Sequence, residues 1–228
     1  MTRTTTRTIL FDLDGTLLDT APDLAWALNE VRRVHGDPPL DYAGIRAVVS
    51  HGSLAMTRIA CAHTEGSAPF EAFRQQLLDT YRDNLATHTR LFAGMAELLD
   101  EFDDRGICWG IVTNKPAWLT DPLLEQMQLG KRAATIISGD TLAQSKPHPA
   151  PLLLAAEQTG SAPEDCLYVG DAERDVIAGN AAGMFTVAAL YGYLSADDQP
   201  ERWGADVLAE SPAAIRAWLQ RESPGNDS

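Results

Sequence analysis

Asp12 and Asp14 stand one residue apart where the apolar, β-prone run Thr8-Ile9-Leu10-Phe11 ends. Residues two apart in an extended chain share a face, so both carboxylates should point the same way while Leu13 turns back toward the core. Like charges this close call for a bound cation or a shared proton. Gly15 would let the backbone approach whatever lies between them. A second acidic group, Asp171, Glu173 and Asp175, follows another short apolar run, Cys166-Leu167-Tyr168-Val169. Ligands of open parallel sheets bind outside the carboxyl ends of the strands, and both acidic groups are expected at that edge.

Two more strand ends carry groups suited to an anion. The run Ile107 to Val112 ends in Thr113-Asn114, a hydroxyl and an amide that can donate to phosphate oxygens without adding charge. After Thr135-Ile136-Ile137 comes Ser145-Lys146-Pro147-His148-Pro149. There Pro147 should hold Lys146 extended, and Pro149 suits the first turn of a helix. The chain has only three lysines, Lys115, Lys131 and Lys146, so a lysine fixed between prolines at the acidic edge reads as a functional cation.

The elements that position these groups alternate. Besides the runs already named, Phe185-Thr186-Val187 reads as a strand. Helical periodicity separates the strands: Met95, Leu98, Leu99 and Phe102 share one face over 94–105, and 149–160 and 174–182 are patterned likewise. This predicts an α/β fold, a doubly wound parallel sheet with a Rossmann-like core. From about Asp19 to Arg90 no strand is expected, and the segments 21–36 and 70–84 carry apolar residues at helical spacing. We therefore expect an all-helical cap at 19–90 inserted into a core of 1–18 and 91–228. A polar tail after Arg221 should fray.

Composition restricts the partners. Acidic residues outnumber basic ones 32 to 18, for a formal charge of −14, which opposes nucleic acid and anionic membranes. A phosphorylated substrate would need a locally positive site built from a metal ion, backbone N–H groups and a few cations. No apolar run approaches membrane-spanning length, and the amino terminus lacks a secretory pattern, so a cytoplasmic location is expected. Cys61, Cys108 and Cys166 have neither metal-ligand spacing nor a paired framework.

FDLDGTLLDT at 11–20, IVTNK at 111–115, SKPHPAP at 145–151 and VGDAERD at 169–175 resemble, in order, the four motifs of the haloacid dehalogenase superfamily. The resemblance covers nearly the whole chain, insertion included. It implies a Mg²⁺-dependent phosphatase that works through an aspartyl-phosphate. Asp12 would be the nucleophile and Asp14 the general acid and base; Thr113 and Lys146 would hold the phosphoryl group. Asp12, Asp171 and the backbone carbonyl of Asp14 would hold the metal, supported by Asp175. The second aspartate argues against dehalogenase members, and the absence of lysine from Gly15 to Arg90 excludes a cap Schiff base. Phosphomutases share these core motifs. A receiver-type phospho-switch shares the residue types but lacks the insertion.

Within the superfamily the chain resembles the phosphoglycolate phosphatase group. VVSHGSLAM, RLFAGMAELLD, WGIVTNKP, YGY and WGADV resemble bacterial N-acetylmuramic acid 6-phosphate phosphatases of cell-wall recycling. The partner implied is a small phosphorylated metabolite that also bears a carboxylate. For that carboxylate the sequence offers His51, the free N–H groups of a helix starting at Gly52-Ser53, and Arg58.

Overall fold

A computed structural model describes residues 8–222. Its centre is a six-stranded sheet in the order β5-β4-β1-β6-β7-β8, parallel throughout. The strands are β1 (Thr8–Phe11), β4 (Cys108–Val112), β5 (Ile136–Ile137), β6 (Cys166–Gly170), β7 (Phe185–Ala189) and β8 (Val207–Ala209). β1 is apolar throughout its three interior-facing positions because both of its faces are covered: Ile9 and Phe11 join one core cluster and Leu10 the other. On the first face lie α5 (Met95–Arg105), α6 (Ala117–Gln126) and α9 (Pro212–Glu222); on the second lie α7 (Ala150–Gln158) and α8 (Glu173–Ala181).

This is the doubly wound arrangement expected. The strand order reverses on either side of β1, and the crevice at such a switch point is where ligands bind. Register then fixes which residues meet there. Phe11 pairs with both Ile111 and Val169, and Asp12 N donates to Val169 O at 2.8 Å. The residues after β1, β4 and β6 therefore leave the sheet side by side.

Between β1 and β4 the chain forms α1 (Ala21–Val34), α2 (Tyr42–Arg46), α3 (Gly52–Ala60) and α4 (Ala68–Arg82). Leu24, Leu28 and Val31 of α1 and Phe73, Leu77 and Tyr81 of α4 are buried in one cluster, so the helical spacing in the sequence marks a real seam. The expectation of no strand at the margins needs correction. Leu18–Asp19 (β2) pairs antiparallel with Arg90–Leu91 (β3), bringing Asp19 opposite Arg90. A two-residue strand is too short to show alternation. Asp23 secures the same junction by accepting from His88 N, Thr89 N and Thr89 Oγ1.

No described helix is long and apolar enough to cross a membrane. Beyond Glu222 the polar tail lies outside the described residues.

Candidate active site

A cavity opens between the helical insertion and the sheet edge, lined from the core by Asp12, Asp14, Thr113, Asn114, Lys115 and Arg174, and from the insertion by Ser50, His51, Gly52, Ser53 and Tyr81. Leu24, Val49, Leu54, Met56, Leu77 and Leu119 complete an apolar wall.

Asp12 is 2% exposed. Its Oδ1 accepts from Leu13 N at 2.8 Å and faces Lys146 Nζ at 2.8 Å. Asp171 and Asp175 are also buried, and one oxygen from each of these three aspartates lies within 4.8 Å of the others. Burial raises Asp12 above the ordinary carboxylate range, against the pull of Lys146. Burial, then the charges of Asp12 and Asp175, push Asp171 up to about 7. Asp175 differs: burial would raise it, but Lys146 and Arg174 outweigh burial and hold it low. Its other oxygen accepts from Ala172 N at 3.1 Å, tying the start of α8.

Three buried carboxylates against two neighbouring cations leave a surplus of negative charge. Hard oxygen donors and that surplus fit a small divalent cation. Gly15 makes room for the arrangement. Its φ is +87°, and a Cβ there would lie 2.1 Å from Asp171 Oδ2.

Asp14 does not join this cluster, contrary to the expectation of two converging carboxylates. Its Oδ1 accepts from Thr20 Oγ1 at 2.6 Å and from Lys115 Nζ at 2.9 Å, so a lysine rather than a shared cation relieves its charge. Lys115 also meets Tyr81 OH at 3.1 Å and lies 4.5 Å from the centre of that ring. Burial would lower Lys115, but Asp14 and Tyr81 hold it above the usual lysine range. Burial also pushes Tyr81 up to about 12.

Lys146 departs from its expected pose as well. Its side chain is 0% exposed, and Nζ is surrounded by Asp12 Oδ1, Asp175 Oδ1, Val112 O and Tyr168 OH at 2.7–2.9 Å. An ammonium has three hydrogens, and here they are engaged by the protein. Asn114 serves the same lysine: Oδ1 accepts from Lys146 N at 3.0 Å and Nδ2 donates to Lys146 O at 2.9 Å. The amide expected to donate to phosphate thus positions the loop that carries Lys146. Thr113 is buried and accepts from Lys115 N at 3.1 Å.

In the insertion, α3 begins at Gly52 as expected, and His51, Gly52 and Ser53 reach the cavity. Arg58 does not. It is exposed and paired with Glu65, and it is not among the residues that line the cavity, although Leu54 one turn earlier on α3 is. Ser50 was not anticipated as a site residue: its buried Oγ donates to Asp171 Oδ2 at 2.7 Å, beside Tyr193 N at 2.9 Å. Arg174 and Tyr81 were likewise unmarked. The basic residue inside the acidic VGDAERD segment was the available signal for Arg174.

A family model described as haloacid dehalogenase-like hydrolase matches residues 9–189, a span that holds all of these core groups. The chain belongs to the haloacid dehalogenase-like hydrolases. This hydrolase is 48% identical to a phosphoglycolate phosphatase from Xanthomonas campestris over 94% of its own length and 98% of the relative's. It is 40% identical to an N-acetylmuramic acid 6-phosphate phosphatase from Pseudomonas aeruginosa, over 97% and 98% of the two chains. A crystal structure of a predicted phosphoglycolate phosphatase from Haemophilus somnus superposes with a TM-score of 0.85 at 29% identity, covering 95% of this hydrolase and 99% of that chain. The hydrolase is a phosphatase.

Proposed function

We propose that the chain hydrolyses a small phosphomonoester with Mg²⁺ through an aspartyl-phosphate on Asp12, and that its substrate is N-acetylmuramic acid 6-phosphate. The observation that carries the chemistry is Asp12 itself: a buried carboxylate at the switch point, facing the cavity, within 4.8 Å of Asp171 and Asp175. A carboxylate nucleophile splits a very slow hydrolysis into two easier transfers.

Asp12, Asp171 and Asp175, with the backbone carbonyl of Asp14, would hold the ion. When bound, Mg²⁺ would neutralise phosphate charge so that an anion can approach an anion. The protein residues do the rest. Lys146 and Leu13 N fix Asp12 through Oδ1, which presents Oδ2 to the phosphorus. As the new O–P bond forms, the P–O bond to the substrate alcohol breaks, and Asp14, which must enter this step protonated on Oδ2, gives that proton to the departing oxygen. Thr20 and Lys115 both hold Oδ1 of Asp14, which leaves Oδ2 for that proton. In the second transfer water attacks the aspartyl-phosphate, Asp14 takes the proton, and Asp12 and inorganic phosphate are released. Thr113, buried at the cavity wall, would donate to a phosphoryl oxygen.

The apolar wall of the cavity favours the sugar. Leu24, Leu54, Met56 and Leu77 suit the methyl groups of an N-acetyl and a lactyl substituent, whereas 2-phosphoglycolate has a single methylene to place there. His51 and the N–H groups at Gly52-Ser53 would take the carboxylate. A second reading, 2-phosphoglycolate, is favoured by the placement of Lys115 in the cavity: a carboxylate two carbons from the leaving oxygen would fall near the cation paired with Asp14. The free thiols Cys61, Cys108 and Cys166 support a cytoplasmic location.

The test is phosphate release with Mg²⁺ from N-acetylmuramic acid 6-phosphate, 2-phosphoglycolate, glucose 6-phosphate and β-glucose 1-phosphate. The highest kcat/KM is expected for the first. A higher value for 2-phosphoglycolate would replace it with the second reading, and isomerisation of β-glucose 1-phosphate without phosphate release would make the chain a mutase. Asp12→Asn is expected to abolish turnover; activity near wild type would refute the nucleophile.

A further inference from the structure

We propose that Arg174 is a catalytic residue whose guanidinium grips the transferring phosphoryl group beside Asp12. The inference rests on Asp12 being the nucleophile and extends that reading to a residue outside Thr113, Asn114 and Lys146, the phosphate contacts expected from the sequence.

Arg174 follows β6 in the first turn of α8, and its side chain lines the cavity beside Asp12 and Thr113. It is 23% exposed, and Nη2 comes no nearer than 4.0 Å to Asp12 Oδ2. That distance is an ion pair without a hydrogen bond. Its Nε is buried and has no hydrogen-bond partner among the described residues. A guanidinium has five donors in a planar fork, and burying them unmatched is costly unless a ligand completes them. The surrounding acids hold the charge in place without consuming its donors.

The direction of the fork decides the ligand. Asp12 Oδ1 is occupied by Lys146 and Leu13 N, so the oxygen facing Arg174 is Oδ2, the one free to attack. In a near-attack arrangement the attacking oxygen and the phosphorus are about 3–3.5 Å apart. A nitrogen 4.0 Å from Oδ2 is then within reach of an equatorial phosphoryl oxygen. Charge-assisted bonds of this kind are short and suit the bidentate geometry of arginine. The same contact would strengthen as negative charge redistributes over the equatorial oxygens in the transition state. A lysine could supply the charge but not the paired donors.

Arg174→Ala and Arg174→Lys, assayed with p-nitrophenyl phosphate at saturating Mg²⁺, separate this from a structural role. For the alanine variant kcat/KM should fall about 10²-fold, the weight of one preorganised donor. Its inhibition constant for inorganic phosphate should rise about tenfold or more, as expected for losing one charge-assisted hydrogen bond. The lysine variant should recover part of the phosphate affinity and less of kcat. Unchanged phosphate inhibition in the alanine variant overturns the proposal. So does a variant that weakens only Mg²⁺ binding or lowers Tm, since a counter-charge for the three acids would do that alone. Should the alanine variant fail to fold, Arg174→Gln keeps most of the side chain and is read in the same way. Asp12→Asn, run alongside, keeps the two ideas apart: an active Asp12→Asn sinks the nucleophile, whereas an inactive one beside an unaffected Arg174→Ala sinks only this proposal.

Discussion

Lys115 Nζ lies 2.9 Å from Asp14 Oδ1 and 3.1 Å from the Tyr81 hydroxyl, so one ammonium joins the core loop after β1 to the last turns of α4. The side chains of Lys115 and Asp14 are only 7% and 18% exposed, which shields the pair from solvent screening. A carboxylate proposed to handle protons is thereby tied to the helical insertion through a single cation.

Replacing Lys115 by Met should therefore cost both stability and turnover. Removing one partner of a buried pair leaves the other uncompensated, typically at about 3–5 kcal/mol. Tyr81→Phe removes one hydrogen bond to the ammonium and should cost about 1 kcal/mol. Urea unfolding of the two variants gives the order. If Tyr81→Phe proved the more damaging, the pair with Asp14 would not be the dominant contact of Lys115.

The acid cluster predicts a pH-dependent response to metal. Asp171 is raised to about 7 by burial and by the charges of Asp12 and Asp175, and Asp12 is raised as well. In the unfolded chain a carboxylate titrates near ~3.9. Between those values the metal-free folded state binds more protons than the unfolded one. The stability due to Asp171 is then fully present below ~4 and is lost as pH rises through about 7. Asp175, held low, works in the opposite sense but below that window. Bound Mg²⁺ displaces the proton and offsets the repulsion, so the difference in Tm between Mg²⁺-saturated and chelator-treated protein should widen from pH 5 to pH 8. A constant difference across that range would mean that no proton is exchanged for the ion.

Gly15→Ala tests the space beside the cluster. The new Cβ would fall 2.1 Å from Asp171 Oδ2 at a backbone φ of +87°. Strain at such an angle is on the order of 1–3 kcal/mol, and the larger effect is displacement of the carboxylate. We expect weakened Mg²⁺ affinity by titration calorimetry, with a smaller change in Tm. Wild-type affinity would show that Asp171 can retreat without harm to the site.

The sequence made the sheet legible because strands buried on both faces read as short apolar runs, and the acids after β1 and β6 break those runs abruptly. The α1 and α4 seam was legible through its helical spacing. β2 and β3 were not, since two residues carry no period, and α6 was hidden by Pro122 within it and by Trp118 turned outward. At the site, residue type marked position better than partner. Asn114 was legible as a donor, but its choice of the Lys146 backbone over a ligand depends on the approach of two loops 32 residues apart. Ser50 and Asp171 meet across 121 residues, a contact that no local pattern encodes.

Arg58 supplies the sharpest check on how the insertion meets its substrate. The sequence places it on α3 close behind Gly52-Ser53, where a cation beside a helix N-terminus would favour a carboxylate. In the structure it points outward to Glu65 at 2.5 Å, with more than half of its side chain exposed. Exposed pairs of this kind contribute little to stability, and Arg58 is not among the residues that line the cavity. Arg58→Ala should accordingly leave unchanged the ratio of kcat/KM between 2-phosphoglycolate and glucose 6-phosphate, one with a carboxylate and one without. A ratio that fell in the variant would require the Arg58 side chain to swing into the cavity when substrate binds, exchanging Glu65 for the substrate's own carboxylate.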